Sequence, residues 1–557
     1  MPKTTLLLCF ILGLAVFFRI WGIDYGLPYF LVNDERALVY GALKMAELKT
    51  LIPALYPQEF DIMNYKYNFL MSYIYLIFLA PFILIQYLIG SFANFTELGN
   101  YFVLNPTSLW LVARVVTALM GAATVYLMYL IGKKIFNHWV GLIAALFLSI
   151  NFLHIQLSHF TRPWVPMAFF TCLIMFLSAC IYKSPKTKYY LWMGVVCGLA
   201  FGVSAATSVT MVIFFLSHFL LKKNFPEKLK DKNLWLALVV FALLAAVFLL
   251  VNPERFSAFS FGSSNLMEAR GLADYLQGFA LNLKALFFYE PILSIFSLLG
   301  LIIFWFKSKK LFFIFLSWPI FYISSLYFLS YVEFSMPVAR YLLLIVPWLI
   351  ILASCAIYHL LFKLNNLSKI IILTLIFIYP LAIAIQYDYL LSQKDTRILA
   401  KDWVEENIPA GSKIISNWNH INPFPTKEAI LLQEQLDEGS LRIQDKVLLN
   451  LSDEDYPQPA YHILKTAYVD KERISEDPLQ LIKNQQYQYF LEAEVLWGKD
   501  YWLPEEEQVL QKARLIQEFK QGQAKKAEDI TCNFIRPVFI FFSLGRPGPT
   551  IKIYRLY

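Results

Sequence analysis

The chain has 557 residues, of which 58% are hydrophobic, 17% aromatic and only 16% charged, and its formal net charge is +8. Several apolar runs approach or exceed the roughly 20 residues that cross a hydrocarbon core as a helix. The composition excludes an ordinary soluble globular protein, and six cysteines, five of them within apolar runs, exclude a disulfide scaffold. It predicts a polytopic α-helical membrane protein.

The first apolar segment, Thr4 to Trp21, follows Lys3 and resembles a signal peptide in length. No cleavage site of small residues follows it, and Arg19, Trp21 and Tyr25 are typical of anchors at a membrane surface. We therefore expect a retained first helix that crosses the membrane.

A pair of carboxylates, Asp34 and Glu35, follows about ten residues beyond this helix. Ionised side chains beside a bilayer are costly, so such a pair marks a candidate functional site. The alternative is an ordinary solvated turn.

Clusters of lysine indicate the topology of the rest of the chain. Each cluster joins two apolar runs, and the positive-inside rule places such loops in the cytoplasm. The clusters lie at Lys133–Lys134, Lys183–Lys188, Lys222–Lys232, Lys307–Lys310 and Lys363–Lys369. The connections between them, which hold most of the acidic residues of this part, are then on the outer face.

The apolar segment 69–92 would reverse this alternation if it crossed the membrane. We therefore expect an interfacial or re-entrant helix pair on the outer face, bent at Pro81. Eleven spans remain, with the N-terminus cytoplasmic and the C-terminus outside: approximately 4–23, 109–132, 138–154, 163–182, 189–204, 206–221, 234–251, 285–306, 311–330, 341–361 and 369–388.

The composition changes after Tyr389, where polar residues and short alternating patterns replace the apolar runs. The pattern predicts a helix over Thr396–Asn407 and strands over Lys413–Ser416, Tyr487–Leu491, Val538–Phe542 and Ile551–Tyr554. We divide the chain into a membrane domain, 1–390, with an outer loop, 24–108, that includes the interfacial helices, and a soluble outer-face α/β domain, 395–557.

The order of several short motifs on this topology resembles the GT-C glycosyltransferases, in particular the protein O-mannosyltransferase and lipid A aminoarabinose transferase group. The acidic pair of the first outer loop is followed by Ile131–Phe136, which ends a span in a basic pair, and by the turn Leu157–Phe170. Val338–Pro347 resembles the Arg-Tyr-Leu-Leu-Pro motif of the family, and 395–412 resembles the start of the outer domain in its bacterial members. The resemblance covers roughly residues 1 to 415.

The resemblance implies transfer of a sugar from a polyprenyl phosphate carrier to an acceptor on the outer face, with inversion at the anomeric carbon. Asp34 matches the catalytic aspartate of the family, which takes the acceptor proton, and Glu35 is its substitute or an orienting partner. An arginine can grip a phosphate at two points, so Arg340, beside Tyr341, is the first candidate for the carrier phosphate. The same arginine could instead be a snorkelling anchor.

Three further candidates for substrate binding are Lys66 and, in the second outer turn, Arg162 and His159. Their alternatives are an interfacial lysine and solvated polar caps of a turn. Many members of the family have an acidic residue where this chain has Trp164, which could stack on a sugar or belong to the interfacial aromatic belt. The missing carboxylate weakens the case for a divalent metal, and we predict no other cofactor.

The expected partners are the lipid-linked sugar donor, membrane lipid, and a glycan, lipid or protein acceptor, and we expect no nucleic acid. We expect an integral membrane protein of a prokaryotic inner or plasma membrane. The competing functions are a non-catalytic assembly protein and a transporter or flippase of lipid-linked glycans. Transporters commonly place charges within spans, whereas here the charges gather on one face.

Overall fold

A computed structural model of the chain describes most of the molecule. The described residues are 3–32, 35–60, 67–221, 224–252, 272–329, 339–417, 421, 423–436, 439, 441–466, 486–494, 510–522, 530 and 538–556. Asp34, Lys66 and Cys532 lie outside them.

Helices make up nearly all of the described chain before residue 395. They are α1 (Lys3–Ile20), α2 (Arg36–Glu47), α3 (Leu70–Ile89), α4 (Phe95–Leu104), α5 (Thr107–Ile135), α6 (His138–Ser149), α7 (Phe152–Ser158), α8 (Trp164–Lys183), α9 (Thr187–Val203), α10 (Met211–Phe219), α11 (Phe225–Leu229), α12 (Lys232–Val251), α13 (Leu272–Tyr289), α14 (Pro291–Lys307), α15 (Lys309–Leu329), α16 (Val346–Leu361) and α17 (Asn366–Leu391). Short 3-10 helices at Ala205–Thr210 and Ala339–Leu344 precede α10 and α16.

Five of the described helical stretches are long and apolar enough to cross a membrane, or seven if two bent pairs are each counted as one span. The bent pairs are α6 with α7, which meet at 57°, and the end of α13 with α14, which meet at 115°. Four shorter apolar helices coincide with other predicted spans. The mostly helical architecture is confirmed, and the total of eleven spans stays a prediction.

Polar caps fix the ends of several of these helices. The side chain of Asn137 accepts hydrogen bonds from the backbone of Trp139 and Val140, and that of Asn151 accepts one from His154. Such caps satisfy N–H groups that a helix start leaves unpaired, which is costly in a low-dielectric surrounding. At the bend between α6 and α7, Asn151 thus satisfies the N–H of His154, and Glu290 accepts from that of Leu153 at 3.0 Å.

The predicted interfacial pair at 69–92 is a single helix, α3, which continues through Pro81. The prediction of two separate helices is therefore wrong, since an apolar helix can accommodate the missing N–H of one proline, and α3 is one of the five stretches long and apolar enough to cross a membrane. Just before α3, Asn68 donates to the carbonyl of Phe201 at the end of α9. Leu104, at the end of α4, packs against a cluster of the C-terminal region.

Arg19 is fully buried rather than placed at the membrane surface, so the prediction of an interfacial anchor is wrong for this residue. Its guanidinium donates to the carbonyls of Leu148 and Ser149, at 3.1 and 3.2 Å, and contacts Nδ1 of His154 at 2.9 Å. Gly121 on α5 leaves the space for it, because a Cβ there would lie 3.0 Å from Nε of Arg19. The arginine therefore satisfies carbonyls at the end of α6.

The C-terminal region contains a six-stranded sheet with the order β2-β3-β1-β4-β6-β5. The pairs β2–β3, β3–β1 and β1–β4 are parallel, and β4–β6 and β6–β5 are antiparallel. Among the described residues of this region, three α-helices accompany the sheet. The elements are α18 (Thr396–Asn407), β1 (Lys413–Ser416), β2 (Phe424–Pro425), α19 (Lys427–Leu436), α20 (Ile443–Asn450), β3 (Ala460–Lys465), β4 (Tyr489–Glu494), β5 (Arg514–Phe519) and β6 (Thr550–Arg555).

The predicted helix over Thr396–Asn407 and the strands at the positions of β1, β4 and β6 are confirmed, the last two with shifted ends. The predicted strand over Val538–Phe542 is wrong, because Val538–Ser543 forms a 3-10 helix. Val538, Phe541 and Leu544 belong to the same hydrophobic core as the apolar helices. Gln386 of α17 donates to the carbonyl of Phe541 at 3.0 Å. The C-terminal region therefore packs directly on the helical part.

Candidate functional site

The site begins at Glu35, just before α2, and at Arg114 on α5. Nε and Nη2 of Arg114 each donate to one carboxylate oxygen of Glu35 at 2.6 Å, and both side chains are fully buried. Nη1 of Arg114 donates to the carbonyls of Ile23 and Tyr25, at 2.6 and 2.8 Å. A bidentate arginine–carboxylate pair fixes geometry as well as charge. This arrangement favours Glu35 as an orienting partner over Glu35 as a base.

The second outer turn, His159–Trp164, contacts the same carboxylate segment. The hydroxyl of Thr161 donates to the backbone carbonyl of Glu35 at 2.8 Å. The backbone N–H of Thr161 donates to a carboxylate oxygen of Glu35, with 3.4 Å between nitrogen and oxygen. The turn and the first outer loop are therefore joined directly beside the position that Asp34 occupies in the sequence.

His159 is fully buried at the start of this turn. Its Nδ1 lies 2.9 Å from the carbonyl of Ile155 and its Nε2 lies 3.0 Å from that of Trp21, with a carboxylate oxygen of Asp388 at 3.6 Å. Burial lowers the pKa of His159 to about 4, although the two carbonyls oppose this shift. Contacts with backbone on both sides favour a role in holding the turn over one in substrate binding.

Three predicted site residues from distant parts of the chain meet at the other end of the turn. Trp164, the first residue of α8, and Tyr341 pack edge to face with ring centroids 5.0 Å apart. The guanidinium of Arg340 lies over both rings, 5.6 Å from the centroid of Trp164 and 5.5 Å from that of Tyr341. The hydroxyl of Tyr322 donates to the carbonyl of Tyr341 at 2.6 Å and so fixes this strip of backbone.

We call Arg340, Trp164 and Tyr341 the cation–aromatic cluster. Arg340 is half-buried, and a guanidinium over aromatic faces is attracted to them while it keeps its full charge. Arg162, two residues before Trp164, is buried with 3% of its surface exposed. Arg162 thus precedes by two residues the tryptophan that Arg340 lies over, and an arginine can balance an anionic group.

The remaining predicted site residues, Asp34 and Lys66, lie outside the described residues. Sequence reasoning missed Arg114, although an arginine at the outer part of a predicted span is a functional candidate by default. It also missed Thr161, whose role depends on a contact with a residue 126 positions away. In the described part of the chain, no three His, Cys, Asp or Glu side chains are grouped so that they could hold a metal ion.

Residues 106–251, which span α5 to α12, match a family described as dolichyl-phosphate-mannose-protein mannosyltransferase. The resemblance to the GT-C mannosyltransferase group is thereby confirmed. The matched stretch contains Arg114 and the whole turn His159–Trp164. Over this stretch the chain is similar to that family, and no curated protein sequence matches it.

Several solved structures are distantly similar. An oligosaccharyltransferase of Archaeoglobus fulgidus in the apo form is 12% identical with a TM-score of 0.45, over 88% of this chain and 69% of that one. The archaeal oligosaccharyltransferase AglB of the same organism, in complex with an inhibitory peptide and a dolichol-phosphate, is 12% identical with a TM-score of 0.44, over 93% and 73%. The mycobacterial arabinofuranosyltransferase AftD is 12% identical with a TM-score of 0.35, over 94% and 41%.

Proposed function

We propose that this protein transfers a sugar from a polyprenyl phosphate carrier to an acceptor on the outer face of a prokaryotic inner or plasma membrane, with inversion at the anomeric carbon. One observation supports this most strongly. The turn His159–Trp164 contacts Glu35 through Thr161 at one end and Arg340 and Tyr341 through Trp164 at the other. Glu35, which follows the proposed base in the sequence, and Arg340, the proposed phosphate ligand, therefore both contact this one short turn.

In the proposed reaction, Asp34 takes the proton of the acceptor nucleophile, whose lone pair attacks the anomeric carbon. The bond from that carbon to the carrier phosphate breaks, and both electrons leave with the phosphate. A single displacement of this kind inverts the anomeric centre. The base must lie within hydrogen-bond reach of the acceptor, and the bidentate hold of Arg114 on Glu35 restrains the backbone next to it.

Arg340 binds the carrier phosphate, with Arg162 and Lys66 as further cations near it. Groups that balance the charge which develops on the leaving phosphate stabilise the transition state more than the bound substrate. Trp164 and Tyr341 hold the guanidinium of Arg340 in place through their ring faces. The aromatic pair also offers an apolar edge beside the sugar.

The topology that fits this chemistry has eleven spans, a cytoplasmic N-terminus and the C-terminal region on the outer face. Support comes from the lysine-rich connections, which alternate with connections that hold Glu35, the turn His159–Trp164 and Arg340. Acceptor choice is assigned to the outer loops and to the C-terminal region.

The test is a transfer assay with the purified protein in lipid nanodiscs and a panel of polyprenyl phosphate sugars and acceptors, with products identified by mass spectrometry. We expect conversion of one donor class, and we expect Asp34→Asn to abolish transfer while donor binding persists. Asp24→Asn is the matched control, because Asp24 is an exposed carboxylate of the same loop and should be dispensable. Turnover of Asp34→Asn close to that of the unaltered protein would contradict the assignment of the base.

A further inference from the structure

The first outer loop of the predicted topology, of which the structure describes residues 21–32 and 35, is held by arginines from two sides. On one side is Arg114 of α5, which binds the carbonyls of Ile23 and Tyr25 and the carboxylate of Glu35. On the other side is Arg397, in the first turn of α18 and hence in the C-terminal region. The loop has backbone turn hydrogen bonds of its own, from the N–H groups of Tyr25, Leu27 and Leu31, and the two arginines fix these turns against the rest of the chain.

The contacts on the C-terminal side form a closed polar group. The hydroxyl of Tyr25 donates to a carboxylate oxygen of Asp395 at 2.6 Å. Nη2 of Arg397 donates to the same hydroxyl at 3.1 Å, and Nη1 reaches the carbonyl of Leu31 at 3.4 Å. Nε and Nη2 of Arg397 also pair with the carboxylate of Asp395 at 2.8 Å. We call Tyr25, Asp395 and Arg397 the loop clamp.

The loop clamp is buried, and charged groups in such a place need every partner that they have. Asp395 is fully buried, and Tyr25 and Arg397 are 4% and 6% exposed. Hydrogen bonds to charged groups are about twice as strong as neutral ones, and breaking one leaves a buried charge short of a partner. The clamp therefore restrains the loop firmly, at two points that flank residues 26–30.

Residues 547–549, just before β6, also contact the segment that contains Asp395. Thr396 donates from its N–H to the carbonyl of Pro547 at 3.0 Å and from its hydroxyl to that of Pro549 at 2.6 Å. Gly548 has a φ of +97°, and a Cβ at this position would lie 2.3 Å from the Asp395 carboxylate. The segment before β6 thus packs against Asp395, while Tyr25 and Arg397 bind the carboxylate of the same residue.

We propose that Asp395 and Arg397 are positioning residues for the first outer loop, so that docking of the C-terminal region sets the rate of transfer. The inference rests on the proposed function, since Asp34, the proposed base, stands between Val32 and Glu35 in the sequence. Leu31, which Arg397 binds, is three residues before it. Because Arg114 holds the loop independently, loss of the clamp loosens the loop without unfolding the protein.

The first measurement is hydrogen–deuterium exchange of the full chain in nanodiscs, read on peptides that cover residues 22–32. Arg397→Lys keeps the charge beside Asp395, but a single ammonium cannot bind Asp395, Tyr25 and Leu31 together. Tyr25→Phe removes one hydroxyl and preserves the ring. We expect exchange in this loop to be about tenfold faster in both variants, as for loss of a hydrogen bond to a charged group.

Tyr461→Phe is the matched control. Its hydroxyl is also buried in the C-terminal region and donates to backbone carbonyls of Val404 and Ile408, without contact with the loop. We expect unchanged exchange over residues 22–32 in this variant. The control separates a specific effect of the clamp from a general loosening of the C-terminal region.

The second measurement is the initial rate of transfer against donor concentration, which gives kcat and the donor KM. We expect Tyr25→Phe and Arg397→Lys to lower kcat about tenfold and to leave the donor KM within about twofold, because the phosphate ligands are untouched. Exchange that stays unchanged in both variants, or that rises equally in Tyr461→Phe, would overturn the inference. Faster exchange with unchanged kcat would overturn its catalytic part. Absence of transfer in the unaltered protein would instead refute the proposed function, and exchange would still decide whether the clamp orders the loop.

Discussion

Two arginines of the candidate site, Arg114 and Arg340, have different surroundings. Arg114 is fully buried and directs its guanidinium at a carboxylate and two backbone carbonyls. Arg340 is half-buried and lies over two aromatic rings. An arginine that donates to protein oxygens stabilises the fold of the chain around it. An arginine that packs on aromatic rings can also attract an anionic ligand by its charge. The comparison separates the framework of the site from its binding surface.

Glu35→Gln breaks the framework and has the largest expected effect. The change leaves Arg114 buried without its counter-charge, and loss of one partner of a buried pair typically costs about 3–5 kcal/mol. We expect a strongly lowered Tm or failure to fold, measured by thermal unfolding in detergent. The control is Glu59→Gln, because Glu59 pairs with Lys44 at 3.1 Å while half exposed. That surface pair should contribute only about 0–1 kcal/mol. Equal loss in the two variants would refute the distinction.

Arg340→Lys tests the binding surface and should affect donor use, leaving Tm unchanged. A lysine offers a point charge in place of a two-pronged grip, so we expect the donor KM to rise about tenfold, and further in Arg340→Ala. Initial rates against donor concentration measure this. Arg36→Lys is the control, since Arg36 also lies over an aromatic ring, that of Phe30 at 5.5 Å. Unchanged kinetics in Arg340→Lys would indicate that Arg340 is a membrane anchor and that Lys66 and Arg162 bind the phosphate.

Trp164→Phe should have a smaller effect of the same kind. Phenylalanine keeps a ring beneath Arg340 but has a weaker attraction for a cation, a difference within the roughly 0.5–2 kcal/mol of such contacts. We expect a donor KM about threefold higher, with kcat nearly unchanged. Trp192→Phe on α9, where the side chain is 57% exposed, is the control. A loss as large as that of Arg340→Ala would mean that Trp164 contacts the substrate itself.

A labelling experiment sharpens the comparison without any expected change in activity. The proposed topology requires α3 to begin and end on the outer face. Asn68, just before α3, contacts Phe201 of α9, and Leu104, at the end of α4, packs on the C-terminal region. Cysteines introduced at Glu59 and Asn100, in a background without native cysteines, should react with an impermeant reagent added outside. Reaction from opposite sides would make α3 a span and reverse every later loop.

Periodicity and charge predicted the helices well because burial in lipid leaves few alternatives to an apolar helix. The same rules failed at Val538–Ser543, where an apolar run packs on helices instead of entering the sheet. They also missed β3, in which four of six residues are buried and the alternation typical of a half-exposed strand is absent. Patterns along the chain report burial, but not which partner buries a segment.

Residues of the candidate site could be predicted where they belong to a short sequence motif, as in the cation–aromatic cluster. They could not be predicted where the site depends on a contact between two distant segments. Glu35 and Arg114 are 79 residues apart, and Tyr25 and Asp395 are 370 apart. The expectation that charges gather only on one face also overlooked Arg19 and Asp388, which are fully buried within helices. Such pairs become visible only when the fold brings the chain together.

The contacts of Thr396 with Pro547 and Pro549 bear on the order in which the protein is made. The ribosome produces these prolines after the apolar helices that precede residue 395. Thr396, next to Asp395, therefore lacks these two contacts until Pro547 and Pro549 have been made. A nascent chain that has not reached Pro547 contains Arg114 and the loop clamp but lacks the contacts of Thr396 with Pro547 and Pro549. The surroundings of Asp395 are therefore completed only after Pro547 and Pro549 have been translated, later than the apolar helices before residue 395.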